Sequence, residues 1–171
     1  IRELDLHGHG LRIVERRVQN FLPLPDGRHL LAAEGRTRAE IAKFSARDAA
    51  RYDAFGAELE AIADVLRALV LEAPPNLVEG WSRRSLIELV KAAALGRRLA
   101  RLSMEHRRVL LDLFTKSAAQ HLDGWFEAEP VKALFGFDAV VGNYASPDTP
   151  GTAYVLLHHL FGEVNGKKGV W

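Results

Sequence analysis

Cysteine is absent from the 171 residues, which excludes a disulfide framework, a thiolate nucleophile and any cysteine-ligated metal centre. Long apolar runs are missing too. Even the longest stretch without Asp, Glu, Lys or Arg, residues 149–162, is shorter than the roughly 20 residues needed to span a bilayer. Neither sign of charge prevails: 23 Lys and Arg against 22 Asp and Glu leave a formal +1, so no global field draws the chain to nucleic acid. No secretory signal opens the sequence, and with no cysteine to oxidise, a cytoplasmic or organellar setting is expected rather than a secreted one. Internal repeats and low-complexity runs are also lacking. The chain starts on Ile1 and stops on Trp171, so both ends read as cut from a longer polypeptide.

What is present is an ordinary globular balance, 48% apolar and 26% charged, enough for one core. Residues 11–33 carry strand formers (Ile13, Val14, Val18, Phe21, Leu22) around Pro25-Asp26-Gly27. Proline fixes φ, aspartate bonds its own backbone and glycine accepts positive φ, so this is a hairpin turn with a return arm over 28–33. After Gly35 the period becomes helical. Thr37 with Glu40 and Ser45 with Asp48 have capping-box spacing, and Tyr52, Phe55, Leu59, Ile62, Leu66 and Leu69 recur at steps of three and four. Burying six such side chains contributes on the order of 10 kcal/mol before chain entropy is charged, so Leu59→Asp is expected to break the core. Pro74-Pro75 ends that helix. Ser85 with Glu88 starts a helix to about Arg101, Ser103 caps another running toward His121, Pro130 suits the first turn of a third, and residues 152–161 read as helical after the proline-rich loop 146–151. The glycine-rich tail beyond Phe161 reads as irregular. The fold class expected is α+β, mostly α: a helical cap-like domain with a small antiparallel sheet near the N-terminus and no complete Rossmann domain.

Chemical motifs are weak. His7-Gly8-His9-Gly10 imitates the opening of a dinucleotide turn but should be followed by a helix, whereas the next residues read as strand. The segment 162–168 imitates a phosphate loop without its spacing. His7 with His9, and His158 with His159, lack an obvious third metal ligand; adjacent helical residues point about 100° apart, so one buried and one exposed histidine is the expectation for the second pair. No carboxylate couple stands out. Arg83, Arg84, Arg97, Arg98, Arg101, Arg107 and Arg108 form a band over two helices. Without interleaved aromatics it reads as a solvated face rather than a nucleic-acid surface, with peripheral attraction to an anionic membrane as the alternative.

Four separated segments nevertheless agree with one family. FDAVVGNYASPDTPGTAYVLLHH over 137–159, FGEVNGKKGVW over 161–171, LPLPDG over 22–27 and FSARDA over 44–49 resemble the phytoene dehydrogenase-like FAD-dependent oxidoreductases. Their closest resemblance is to the branch named after pyridine nucleotide-disulphide oxidoreductase domains. The resemblance covers nearly the whole chain. It implies a flavin-binding Rossmann domain elsewhere in the same polypeptide, FAD as cofactor of the intact protein, and transfer of hydride from a lipophilic substrate to the flavin. This chain is then the inserted substrate or cap region, inactive alone and with no FAD expected in it. Its parts are a β-rich segment at 1–35, a helical segment at 36–162 and a linker at 163–171 leading back to the flavin domain.

Within that frame Tyr144, Tyr154, His158 and His159 combine apolar bodies with polar tips beside a proline-rich loop. They are the candidates for a substrate-facing or flavin-facing wall. Phe137 and Phe161 line the same cavity or fill the core. No metal site is expected. The other reading is a non-catalytic helical module that self-associates as a homodimer through an unpaired hairpin edge.

Overall fold

The computed structural model describes residues 2–14, 17–67, 69–70, 73–76, 78, 82–164 and 167–168. It is mostly helical, with a small antiparallel sheet near the N-terminus. Strand β1 (Asn20–Pro23) pairs with β2 (His29–Ala32), Asn20 opposite Ala32 and Pro23 opposite His29. The turn forms as its residues dictate: Gly27 has φ +82°, and the Asp26 carboxylate accepts the Arg28 backbone N–H at 3.0 Å. Leu30 and Ala32 point into the core from alternate positions of β2. The expected strand over residues 11–14 does not form. Leu11, Ile13 and Val14 are 39%, 49% and 75% exposed, and strand-forming side chains become a strand only against a partner.

Helix α1 (Thr37–Ala42) corrects the first capping-box expectation: Arg36 is the cap residue, and Thr37 lies inside the helix with its hydroxyl donating to the Ala33 carbonyl at 2.9 Å. Helix α2 (Ala46–Arg67) is the axis of the molecule. Ser45 caps it by accepting the Asp48 N–H at 3.1 Å. The Asp48 carboxylate does not close a box on Ser45; it crosses to another element, as described below. Phe55, Leu59 and Ile62 are buried, with Tyr52 and Leu66 partly so, as the periodicity requires. The helix ends at Arg67, ahead of the prolines.

Helix α3 (Arg83–Ala100) starts three residues earlier than expected because Ser82, not Ser85, is the cap; its hydroxyl accepts the Ser85 N–H at 3.1 Å. No side chain of α3 is buried. Ser103 caps α4 (Met104–Thr115). The expected continuation to His121 breaks at Ser117, whose side chain and Gln120 form a reciprocal capping box that opens α5 (Ala118–Trp125). Helix α6 (Glu129–Gly136) has proline in its first turn. A 3-10 turn (Phe137–Ala139), a second (Ala153–Leu157) and α7 (His158–Phe161) complete the body. Residues 163–168 are not wholly irregular: β3 (Glu163–Val164) pairs antiparallel with β4 (Lys167–Lys168), while 165–166 and 169–171 lie outside the described residues.

One core joins these pieces, with Leu30, Ile41, Ile62, Leu113, Leu122 and Leu156 fully buried around α2. Phe55 lies at its aromatic centre, 4.9 Å from Phe126, 5.2 Å from Phe135 and 5.6 Å from Trp125 between ring centroids. Two polar fastenings fix the topology. Asp48, fully buried, accepts the N–H groups of Glu127 (3.0 Å) and Ala128 (2.9 Å), tying the start of α2 to the α5–α6 connection. Thr152 accepts the Ala118 N–H at 3.0 Å, bolting the proline-rich loop to the start of α5.

Candidate functional site

The hairpin, α5 and α6 do not close on one another. Between them runs a cleft of about 720 Å³. Its apolar surface comes from Phe21 and Leu22 of β1, Leu122 of α5, Leu134 of α6, and Phe137 and Val140 just beyond α6. Leu122 and Leu134 are buried at its base, whereas Phe21 and Phe137 stand 60% and 57% exposed beside it. Two large aromatics held open to solvent over an apolar base form the kind of surface that accepts a lipophilic molecule.

Among the described residues the polar rim has one cation. Lys132 pairs with Asp123 at 2.8 Å and Glu129 at 2.5 Å. Hydrogen bonds that it donates to these two carboxylates push its pKa up to about 12, so it stays an ammonium at neutral pH and cannot serve as a proton acceptor. The cleft can bind and orient. Among the described residues that line it, no nucleophile is activated by a neighbouring base.

Behind Phe137 the same 3-10 turn presents Asp138 to the histidines of α7. His159 Nδ1 lies 3.8 Å from Asp138 Oδ2, too far for a hydrogen bond. Burial pushes the Asp138 carboxyl up against the pull of His159 and His158. Burial likewise pushes the His159 imidazole down, against Asp138. This is a sheltered acid–imidazole contact, not an oriented catalytic dyad. His158 Nδ1 meets the Val155 carbonyl at 2.7 Å. The two rings stand edge-on at 84°, their centroids 6.0 Å apart. Both histidines are half-buried, which corrects the expected division into one buried and one exposed. Among the described residues no group of three or more His, Asp or Glu could hold a metal.

The other candidates scatter. Phe161 packs partly buried on the core. Tyr154 stacks on Phe114 of α4 at 5.5 Å, away from the cleft. Tyr144 is wholly exposed. Of the six, only Phe137 lines the cleft. Phe21, Leu22 and Lys132 escaped sequence reasoning because hairpin and helix meet only in three dimensions; an exposed aromatic at Phe21, on a strand ending in proline, was the one available signal.

The His7–Gly10 turn offers no seat for the pyrophosphate of a dinucleotide. A Cβ at Gly8 would stand 2.2 Å from Asp5 Oδ2, so a carboxylate occupies the space an anion would need. Among the described residues no helix follows the turn to offer its N-terminus. These residues do not fit FAD.

The chain resembles pyridine nucleotide-disulfide oxidoreductase domain-containing protein 2. It is 33% identical to the rat protein over 184 aligned positions, covering 99% of this chain and 31% of the relative. The mouse protein is likewise 33% identical over 188 positions, with the same coverage. The chain thus spans about a third of the length of the curated relatives it matches. No protein-family model and no solved structure matches it. Among the described residues no helix is long and apolar enough to cross a membrane.

Proposed function

We propose that the chain is the substrate-side region of a flavin-dependent oxidoreductase of the phytoene dehydrogenase-like kind, working with a flavin-binding region elsewhere in the same polypeptide. The observation that carries this reading is the pattern of similarity. It runs almost end to end at 33% identity, yet covers only 31% of relatives named for an oxidoreductase domain. The redox cofactor brings the chemistry in such a division of labour, while a substrate-side region binds, orients and excludes water.

On this reading the cleft takes a lipophilic small molecule. Phe21, Leu22, Phe137 and Val140 grip its apolar body and Lys132 marks the polar end. Tyr144, Tyr154, His158, His159 and Phe161 lie outside this cleft and are assigned instead to the side that meets the flavin-binding region. Residues 163–171 lead back toward that region, and the chain alone does not turn over. The test is titration of the purified 171-residue chain with FAD, followed by absorbance and flavin fluorescence. No stoichiometric uptake is expected. A chain that retains one FAD per molecule and oxidises a substrate unaided contradicts the proposal.

A further inference from the structure

Helix α3 does not use its most apolar face to build the fold. With 3.6 residues per turn, its partly buried positions Ser85, Glu88, Ala92, Leu95 and Leu99 form one face, turned toward the body. There Leu95 and Leu99 meet Leu66 of α2 and Leu110 of α4 across a shallow trough. The opposite face carries Leu86, Leu89 and Val90, with Ile87 beside them, exposed by 62%, 56%, 64% and 58%. Four large aliphatic side chains on one outward face constitute a surface awaiting a partner.

The charge around that face identifies the partner. Helix α3 carries five cations and one carboxylate, a net +4 on a chain whose total is +1. The carboxylate, Glu88, is turned inward and answered by Lys91 at 2.9 Å. Arg83, Arg84, Arg97 and Arg98 are exposed, and among the described residues no carboxylate lies within ion-pair distance of them, Glu88 feeling Arg84 only at longer range. Arg84, Lys91 and Arg98, at intervals of seven, follow one flank of the apolar face, and Arg83 and Arg97 stand at its two ends. Long arginine stems can lie over the aliphatic side chains while their guanidinium groups reach outward.

We propose that α3 is a docking helix for an anionic lipid surface, lying in the plane of the headgroups with Leu86, Leu89 and Val90 dipped into the acyl boundary and the arginines on the phosphates. Apolar insertion combined with a basic flank is what an interfacial helix requires. A second copy of the chain would bring four like-charged arginines against four others. An acidic protein would be matched by the charge but would not need the aliphatic face in the middle. The proposal stands independently of the flavin reading, because it rests on α3 alone.

The test is co-sedimentation of the intact protein with vesicles of phosphatidylcholine, with and without about one third phosphatidylglycerol. Binding is expected only to the anionic vesicles, falling as sodium chloride rises from about 0.1 M to about 0.5 M. Each arginine near such a surface contributes about fivefold in partitioning, so R97E together with R98E should weaken binding by roughly 25-fold or more. L86S with V90S should weaken it in low salt as well. All four positions are exposed, so an unchanged circular dichroism spectrum and melting curve is expected to accompany the loss. Equal binding to neutral vesicles, or no binding at all, overturns the proposal, the latter assigning the face to another part of the polypeptide. A dimer dispersed by L86S with V90S would give the face to a second copy and overturn it equally.

Discussion

Asp48 shows how much one buried side chain can organise. Its carboxylate takes the N–H groups of Glu127 and Ala128, which lie beyond the reach of any helix. Removing it leaves two donors at the α5–α6 connection without acceptors. Asp48→Ala should therefore cost about 3 kcal/mol of stability, read as a shift in the urea midpoint, and Asp48→Asn less, since one acceptor oxygen remains. His121 makes a second prediction, for pH. It is buried against Phe55 with centroids 6.3 Å apart, and burial, with Lys116 adding and Asp112 opposing, lowers its pKa. The unfolded chain takes up a proton at this histidine as pH falls through about 6.5, whereas the folded chain resists doing so. Its contribution to stability is thus complete above that value and is lost progressively on acidification toward the lower folded pKa. Urea midpoints measured between about pH 7.5 and pH 5 should fall, and His121→Gln should flatten the decline.

Helices were legible where their signal is local, and misread where a tertiary partner decides. The α2 stripe, the Ser103 cap, Pro130 and the Pro25–Gly27 turn all work through neighbours a few residues away, so the sequence alone suffices for them. Thr37 and Asp48 were misread for one reason: each has capping-box spacing, yet each spends its oxygen elsewhere, on Ala33 and on residues 127–128. The break between α4 and α5 could have been read, since Ser117 and Gln120 are as good a box as any in the chain. Ser117→Ala removes that cap at a buried site and should cost about 1 kcal/mol or somewhat more in thermal or urea unfolding. The cleft was least legible. Phe137 alone was singled out, because its other walls come from β1 and α5, distant in sequence from it.

The molecule as a whole divides its surfaces between three tasks. A single core around α2 supplies rigidity, the cleft beneath the hairpin supplies an apolar seat with a fixed cation, and α3 stands outside the core with arginines unpaired among the described residues. The chain is similar to about a third of a longer oxidoreductase-domain protein. The central claim, that the cleft is a substrate seat and not a flavin seat, is tested most directly by Phe21→Ala with Phe137→Ala in the intact protein. Both side chains are more than half exposed, so the fold should survive their loss. Two quantities are measured: bound flavin per chain from visible absorbance, and affinity for a fluorescent polyene fatty acid as a lipophilic probe. The account predicts unchanged flavin content and probe binding weakened by about tenfold, equivalent to roughly 1.4 kcal/mol. Unchanged probe binding, or loss of flavin from the variant, would contradict it.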